Sequence, residues 1–320
     1  MADIMLQLLV TGVMVGSIYA LIALGWVLIY KCSGVLNLAM GELTMIGGYV
    51  CLAAYGGFCV MQACFPGFAT VVPMAAAFMI SLACSLVVGL GLGFVTERVF
   101  LRKMIGEPIL AVIMVTVGLS FFFKGMIFIV WDPDTQVFQP PVFSIEPIEF
   151  LGTAIGEVYL WSFVASIILM VVFISFFKYT RWGLAMQACA DDEMAALSLG
   201  VSAKFVYAMA WAIAFMAAGV GGTLLGNING LNYSVGLLGL LVLPVVVFGG
   251  LNSVPGAIVG GITIGLLENL SDGGLTYLKI VFPSEWWPVT IKSVAPFVFM
   301  VIFLLFKPFG LWGWERIERV

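Results

Sequence analysis

The chain has no histidine, and only 9% of its 320 residues are charged, against about 25% in soluble domains. With 63% hydrophobic residues and a mean hydropathy of +1.18, that scarcity of charge excludes a soluble globular protein and implies a polytopic membrane protein. Without imidazole, and without any CxxC pair, the usual zinc ligand sets are missing as well. The six cysteines, Cys32, Cys51, Cys59, Cys64, Cys84 and Cys189, lie in or beside apolar runs and read as packing residues, with Cys59 and Cys64 the one pair considered for a disulfide. Neither a phosphate-binding Gly-x-x-x-x-Gly-Lys-Ser/Thr loop nor a nucleophile elbow occurs. The chain is therefore expected to be no enzyme, to need no cofactor and to bind no nucleic acid. If it moves a solute uphill, the energy comes from an ion gradient or from a partner.

What is present is apolar length. A span needs about 20 apolar residues to cross about 30 Å of hydrocarbon. By that test seven full crossings are predicted, near 5–30, 35–63, 67–95, 109–131, 158–178, 204–226 and 289–306. The runs 236–251 and 255–270 are shorter and broken by Gly249-Gly250 and Pro255-Gly256, and read either as two tilted spans or as one re-entrant hairpin. The fold class is thus all-α, with about seven clear transmembrane helices plus two short or re-entrant segments. The amino-terminal run is too long for a signal core and lacks a basic flank, so it reads as a retained span.

The charges that do occur are unevenly distributed. Lys31, then Arg98, Arg102 and Lys103, then Lys178, Arg181 and Lys204, then Lys307, Arg316 and Arg319 fall on one side of this arrangement. The other side keeps Lys279 and gathers Asp132, Asp134, Glu146, Glu149 and Glu157. The excess of basic residues marks the first side as cytoplasmic, with the amino terminus outside and the carboxyl terminus inside. The expected organisation is a single permease-like domain over 1–320, a cytoplasmic segment near 179–204 and an extracytoplasmic loop near 132–157. That loop carries Pro133, Pro140, Pro141 and Pro147 and reads as an ordered cap or a flexible excursion.

The segment Arg181–Gly200 is a polar island between two apolar runs. Asp191 is expected to cap a short helix, Asp192 and Glu193 to place negative charge on its first turn, and Gly200 to end it in the left-handed region. Met194, Leu197 and Leu199 form an apolar flank with no partner in so short a loop. Taken locally, the island reads equally as an ordinary interhelical connection; its cytoplasmic placement favours a docking surface for a soluble partner.

Polar groups inside spans are costly and mark candidate sites. They are Asn37 and Glu42, Lys124, the cluster Asn227, Asn229 and Asn232, Glu268 with Asn269, and Lys292. Asn37 and Glu42 flank Gly41 and read first as partners of backbone freed at a helix break. Lys124 and Lys292 read first as snorkelling or as paired with an acid such as Glu268. Glycines recur at four-residue spacing, at Gly12/Gly16, Gly89/Gly93, Gly222/Gly226, Gly256/Gly260 and Gly261/Gly265, a pattern that lets helices approach closely in lipid.

Four blocks, in order, resemble the permease subunits of branched-chain amino acid ABC importers of LivH type. They are Gly16–Gly25 with Leu36-Asn-Leu-Ala-Met-Gly-Glu42, Gly183–Gly200, Gly249-Gly-Leu-Asn-Ser-Val-Pro-Gly-Ala257 followed by Gly260-Gly261, and Pro308-Phe-Gly-Leu-Trp-Gly313. The resemblance implies a second homologous permease, two cytoplasmic ATPase subunits that bind the ATP, and an extracytoplasmic solute-binding protein, assembled in a bacterial inner membrane. It assigns coupling to the ATPase to Arg181, Gly183, Ala188, Asp191, Asp192, Ala195, Ala196 and Gly200. Pathway or hinge candidates are Asn37, Met40, Gly41, Glu42, Gly249, Gly250, Pro255, Gly256 and Glu268. Met40 stands where the family commonly has His or Gln, which removes a polar group and favours a lining or hinge role. Alternative readings are an ion-coupled secondary transporter, in which Glu42, Glu268 or Lys292 carries the ion, an ABC permease for urea or short amides, and a non-transporting scaffold.

Overall fold

The structure is a computed structural model that describes residues 2–65, 72–104, 107–132, 134–144, 146–150, 153–281 and 290–313. Its helices are α1 (Ala2–Ser33), α2 (Met40–Cys64), α3 (Met74–Val99), α4 (Ile109–Val130), α5 (Glu157–Tyr179), α6 (Arg181–Asp191), α7 (Glu193–Ser198), α8 (Ala203–Asn229), α9 (Ser234–Gly249), α10 (Val254–Val281) and α11 (Ala295–Phe306). A 3₁₀ turn, Leu101–Met104, follows α3. Pro73 and Pro108 sit at the starts of α3 and α4, and Pro296 in the first turn of α11. A missing N–H is harmless there, because the first turn has no intrahelical acceptor to offer.

Among the described residues, seven helices are long and apolar enough to cross a membrane: α1 to α5, α8 and α10, with α3 continuing into its 3₁₀ turn. The expected number of clear spans agrees, but the membership differs. The run at 255–270 is part of the 28-residue α10, which begins with Pro255 in its first turn. It continues past the end of the apolar run, through Ser271-Asp272-Gly273-Gly274. The predicted span 289–306 contains only the 12-residue α11, about 18 Å long. α9 has 16 residues with Pro244 inside. Asn37, expected within the second span, precedes it in the connection between α1 and α2. Pro133, Arg316 and Arg319 lie outside the described residues.

The chain divides into two compact units, Met1–Ala23 with Ser144–Ile167 and Leu241–Val320, and Leu24–Phe143 with Ile168–Leu240. The second unit is built on α2, α3 and α8. Gly47 of α2 lies against Gly219 of α8, Gly222 against Thr44, and Gly93 of α3 against Ala212. Ser85 Oγ donates to the Gly47 carbonyl at 2.8 Å. These small residues let large side chains fill the flanks, and Trp26, Tyr49, Tyr55, Trp211 and Phe215 are fully buried. In the same unit Gln136 and Leu231 exchange backbone bonds of 2.8 and 2.7 Å.

In the first unit the α1 stripe of Gly12 and Gly16 meets Gly261 and Gly265 of α10 backbone to backbone. A short antiparallel hairpin pairs Pro147–Phe150 (β1) with Thr153–Gly156 (β2), and Gln7 Nε2 donates to the Ala154 carbonyl at 3.1 Å. This hairpin is the regular structure within the described parts of the 132–157 loop. All six cysteines are free.

Candidate functional site

The polar island forms two helices joined at a single residue. Thr180 alone separates α5 from α6: its hydroxyl donates to the Phe176 carbonyl at 2.7 Å and accepts from the Gly183 amide at 3.0 Å. Gly183 has no room for a side chain, since a Cβ would fall against the carbonyls of Phe176 and Phe177. Gln187 Nε2 ties α6 to the Phe177 carbonyl at 2.8 Å. Trp182 packs on Phe205 of α8 with ring centroids 4.7 Å apart.

The cap of α7 is Asp192, whose Oδ1 accepts from the Ala195 amide at 2.9 Å. The expectation for Asp191 was wrong by one residue: Asp191 ends α6, because the Thr180 cap starts that helix early enough to run through it. The C-terminus behaves as expected. Gly200 has φ +87, its amide donates to the Leu197 carbonyl at 3.0 Å, and the Val201 amide donates to the Ala196 carbonyl at 3.0 Å. This is a Schellman ending that satisfies two terminal carbonyls. Met194 is 74% and Leu199 83% exposed, with Leu197 also exposed, so the apolar flank has no partner within the chain. Arg181, Ala188 and Ala195 are exposed too, whereas Ala196 and Gly183 are buried.

Behind α7, a cavity of about 200 Å³ is lined by Ser33, Glu97, Glu193, Tyr207 and Trp211 among others. Glu97 is buried and held by Arg102 through two bonds of 3.1 and 2.8 Å. Sequence reasoning missed this pair and the Thr180 cap. The signals were an acid and an arginine five residues apart around a helix end, and a threonine just before a glycine-containing helical run.

Asn37 is buried, and its side chain is occupied locally. Oδ1 accepts from the Ala39 amide at 3.1 Å, Nδ2 faces Met40 Sδ at 3.8 Å, and the Asn37 carbonyl accepts from Trp26 Nε1 at 2.8 Å. Met40 is fully buried and approaches Gly25. Gly41 touches the backbone at Gly236 and Gly239 of α9 so closely that neither Gly41 nor Gly239 can carry a Cβ. Glu42, half-buried, has Ser120 and Lys124 of α4 as neighbours, and Lys124 lies 5.4 Å above the Tyr233 ring.

In the first unit Gly249 and Gly256 meet backbone to backbone where α9 turns into α10, and Ser253 Oγ caps α10 by accepting from the Gly256 amide at 3.0 Å. Gly250 takes φ +103. The Pro308–Gly313 block returns to this turn: Leu311 and Trp312 donate their amides to the carbonyls of Phe248 and Gly249 at 2.8 and 3.2 Å. Fourteen residues into α10, Glu268 is buried, with Lys292 Nζ 3.5 Å from Oε1 and the Tyr19 hydroxyl offering a further hydrogen bond. The expected pairing of Lys292 with Glu268 is therefore present. Among the described residues no group of histidine, cysteine, aspartate and glutamate side chains is arranged to hold a metal ion.

A family profile described as branched-chain amino acid transport system, permease component, matches residues 8–305. The chain is 30% identical to the high-affinity branched-chain amino acid transport system permease protein BraD of Pseudomonas aeruginosa, over 98% of each chain. It is 29% identical to the corresponding protein LivH of Escherichia coli K12, over 98% of this chain and 97% of the relative. A shorter similarity, 29% over 44% of each chain, links it to the nucleoside ABC transporter permease protein NupC of Lactococcus lactis. No solved structure matches.

Proposed function

The chain belongs to the branched-chain amino acid transport permease family, and from that we propose that it is the membrane-spanning subunit of an ATP-driven importer for branched-chain or related amino acids. It lines the translocation pathway with a second homologous permease and takes solute from an extracytoplasmic binding protein. Two cytoplasmic ATPase subunits supply the energy and bind the ATP. The assembly sits in a bacterial inner membrane, with the amino terminus outside and the carboxyl terminus inside.

The observation that carries this reading is α7. A six-residue helix with an aspartate cap presents Met194 and Leu197 to solvent, and Leu199, between it and the Schellman glycine, extends the same exposed flank. A few apolar anchors on a rigid helix suit a groove in a soluble partner, where such anchors carry most of the affinity. Arg181, Ala188, Asp192 and Ala195 border the same surface; Gly183, Ala196 and Gly200 shape it from behind.

Reconstitution of the permease pair with its ATPase subunits and binding protein in proteoliposomes tests the proposal. Leucine uptake should require internal ATP and persist when proton and sodium gradients are collapsed. Uptake that follows the gradient while ATP is plentiful would instead assign ion coupling to Glu42, Glu268 or Lys292. Uptake of urea or short amides in place of leucine would keep the ATP-driven reading and change the solute.

A further inference from the structure

Glu268 holds a carboxylate that is only half used. Its side chain is 4% exposed, yet Oε2 has no hydrogen-bond partner. Oε1 faces Lys292 Nζ at 3.5 Å, longer than the about 2.7–2.9 Å of a well-formed charge-assisted bond. Glu268 is the buried member of the pair, and a contact this loose recovers little of its desolvation cost. Both charges are thus available to a ligand that carries their complements.

The surroundings point the same way. Glu268 lies about 21 Å along α10 from Val254, well inside the hydrocarbon depth. The non-helical segment before α11 lies beside it, because Thr290 Oγ1 donates to Asp272 Oδ1 at 2.5 Å and Lys292 reaches Glu268. Irregular backbone at that depth persists only where protein buries it or where it borders a water-filled cavity. Thr290 is exposed and the Lys292 side chain is 37% exposed, so this chain by itself does not bury the segment. We infer that Tyr19, Glu268 and Lys292 form a way-station for a zwitterionic amino acid: Glu268 Oε2 takes the α-ammonium, and Lys292 turns from Oε1 to the α-carboxylate. The open acceptor and the under-used ammonium of one loose pair match the two charges of that solute class. A neutral amide or a simple cation engages only one of them.

This inference rests on the importer reading, and the experiment separates the two. The wild-type complex is measured first: absence of ATP-driven leucine uptake overturns the importer reading and this site with it. Against an active wild type, Glu268→Met/Lys292→Met is compared for assembly and for uptake. A purely structural pair predicts that replacing both partners by apolar residues preserves both, and that result overturns the site. The expected result is a complex that assembles with leucine uptake reduced at least tenfold. If the double variant does not assemble, the wild-type permease–ATPase complex without binding protein decides. Leucine should raise its melting temperature, whereas leucinamide, which lacks the carboxylate, and 4-methylpentanoate, which lacks the ammonium, should not. Equal shifts from all three, or none from leucine, overturn the site.

Discussion

Leu311 donates its amide to the carbonyl of Phe248 at 2.8 Å, so the Pro308–Gly313 block is fastened to the turn between α9 and α10. Two stretches that stand out separately in the sequence are one structural unit. Gly250 makes the contact possible: its φ is +103, and a Cβ there would lie 2.6 Å from the Gly313 amide nitrogen. Gly250→Ala should cost about 1–3 kcal/mol and lower the melting temperature of the purified complex, an outcome read by thermal unfolding in detergent. An unchanged transition would mean that the tail is not held there.

The two neighbouring aspartates should behave differently. Asp192→Ala removes the bond to the Ala195 amide and should weaken α7 by about 1 kcal/mol, a typical cap loss. Hydrogen exchange at the amides of 195–198 should accelerate roughly fivefold on that scale. Asp191→Ala should leave those rates unchanged. Equal effects from the two would reinstate Asp191 as the cap.

Ala195 and Ala196 face opposite ways, and a glutamate at each separates docking from folding. Ala195→Glu, like Met194→Asp and Leu199→Asp, should leave insertion and permease pairing intact while co-purification of the ATPase subunits falls at least tenfold. Ala196→Glu buries a charge and should lower the yield of folded permease itself. Full ATPase recovery with Ala195→Glu would leave α6 and α7 as a connection only.

Close helix crossings predict a graded glycine scan. Gly41→Ala, Gly222→Ala and Gly239→Ala place a methyl group into opposing backbone and should each cost about 1–3 kcal/mol, seen as reduced membrane yield and faster thermal inactivation. Gly56→Ala and Gly118→Ala have open space at the same atom and should be tolerated, with the helix gaining a few tenths to about 1 kcal/mol.

Orientation is measurable by thiol labelling. In a background with Cys64 and Cys84 replaced, since both are exposed, a cysteine at Thr135 should react with an impermeant reagent added to intact cells, and one at Ser198 should not. Cys189 can stay, because it is buried and burial pushes its thiol pKa upward, which suppresses the reactive thiolate. The reverse pattern would place α7 outside the cell and remove the basis for ATPase docking.

Apolar length was sufficient to locate α1 to α5 and α8. The full length of α10 was not legible, because the apolar run stops at 270 and Ser271-Asp272-Gly273-Gly274 follows it. Gly273 lies against Leu8 of α1 where a side chain would collide, a tertiary contact without local trace. The one-residue error at Asp191 has the same origin: two adjacent acids are equivalent caps until the start of the preceding helix is known, and Thr180 sets that start. The pairing of Glu268 with Lys292 was legible because few charges exist to pair. The open Oε2 and the Tyr19 hydroxyl were not, since nothing in residue order brings position 19 to position 268.

Thr180 bonds backward to Phe176 and forward to Gly183, and Gln187 bonds back to Phe177. The corner between α5 and α6 therefore contains no slack: one residue separates two helices, and three side-chain hydrogen bonds cross it. A push on the exposed face beyond it is not absorbed by a compliant linker. It arrives at the carboxyl-terminal end of α5 as torque, and the corner works as the elbow of a lever whose short arm is α6 and whose long arm is a helix long enough to span a membrane.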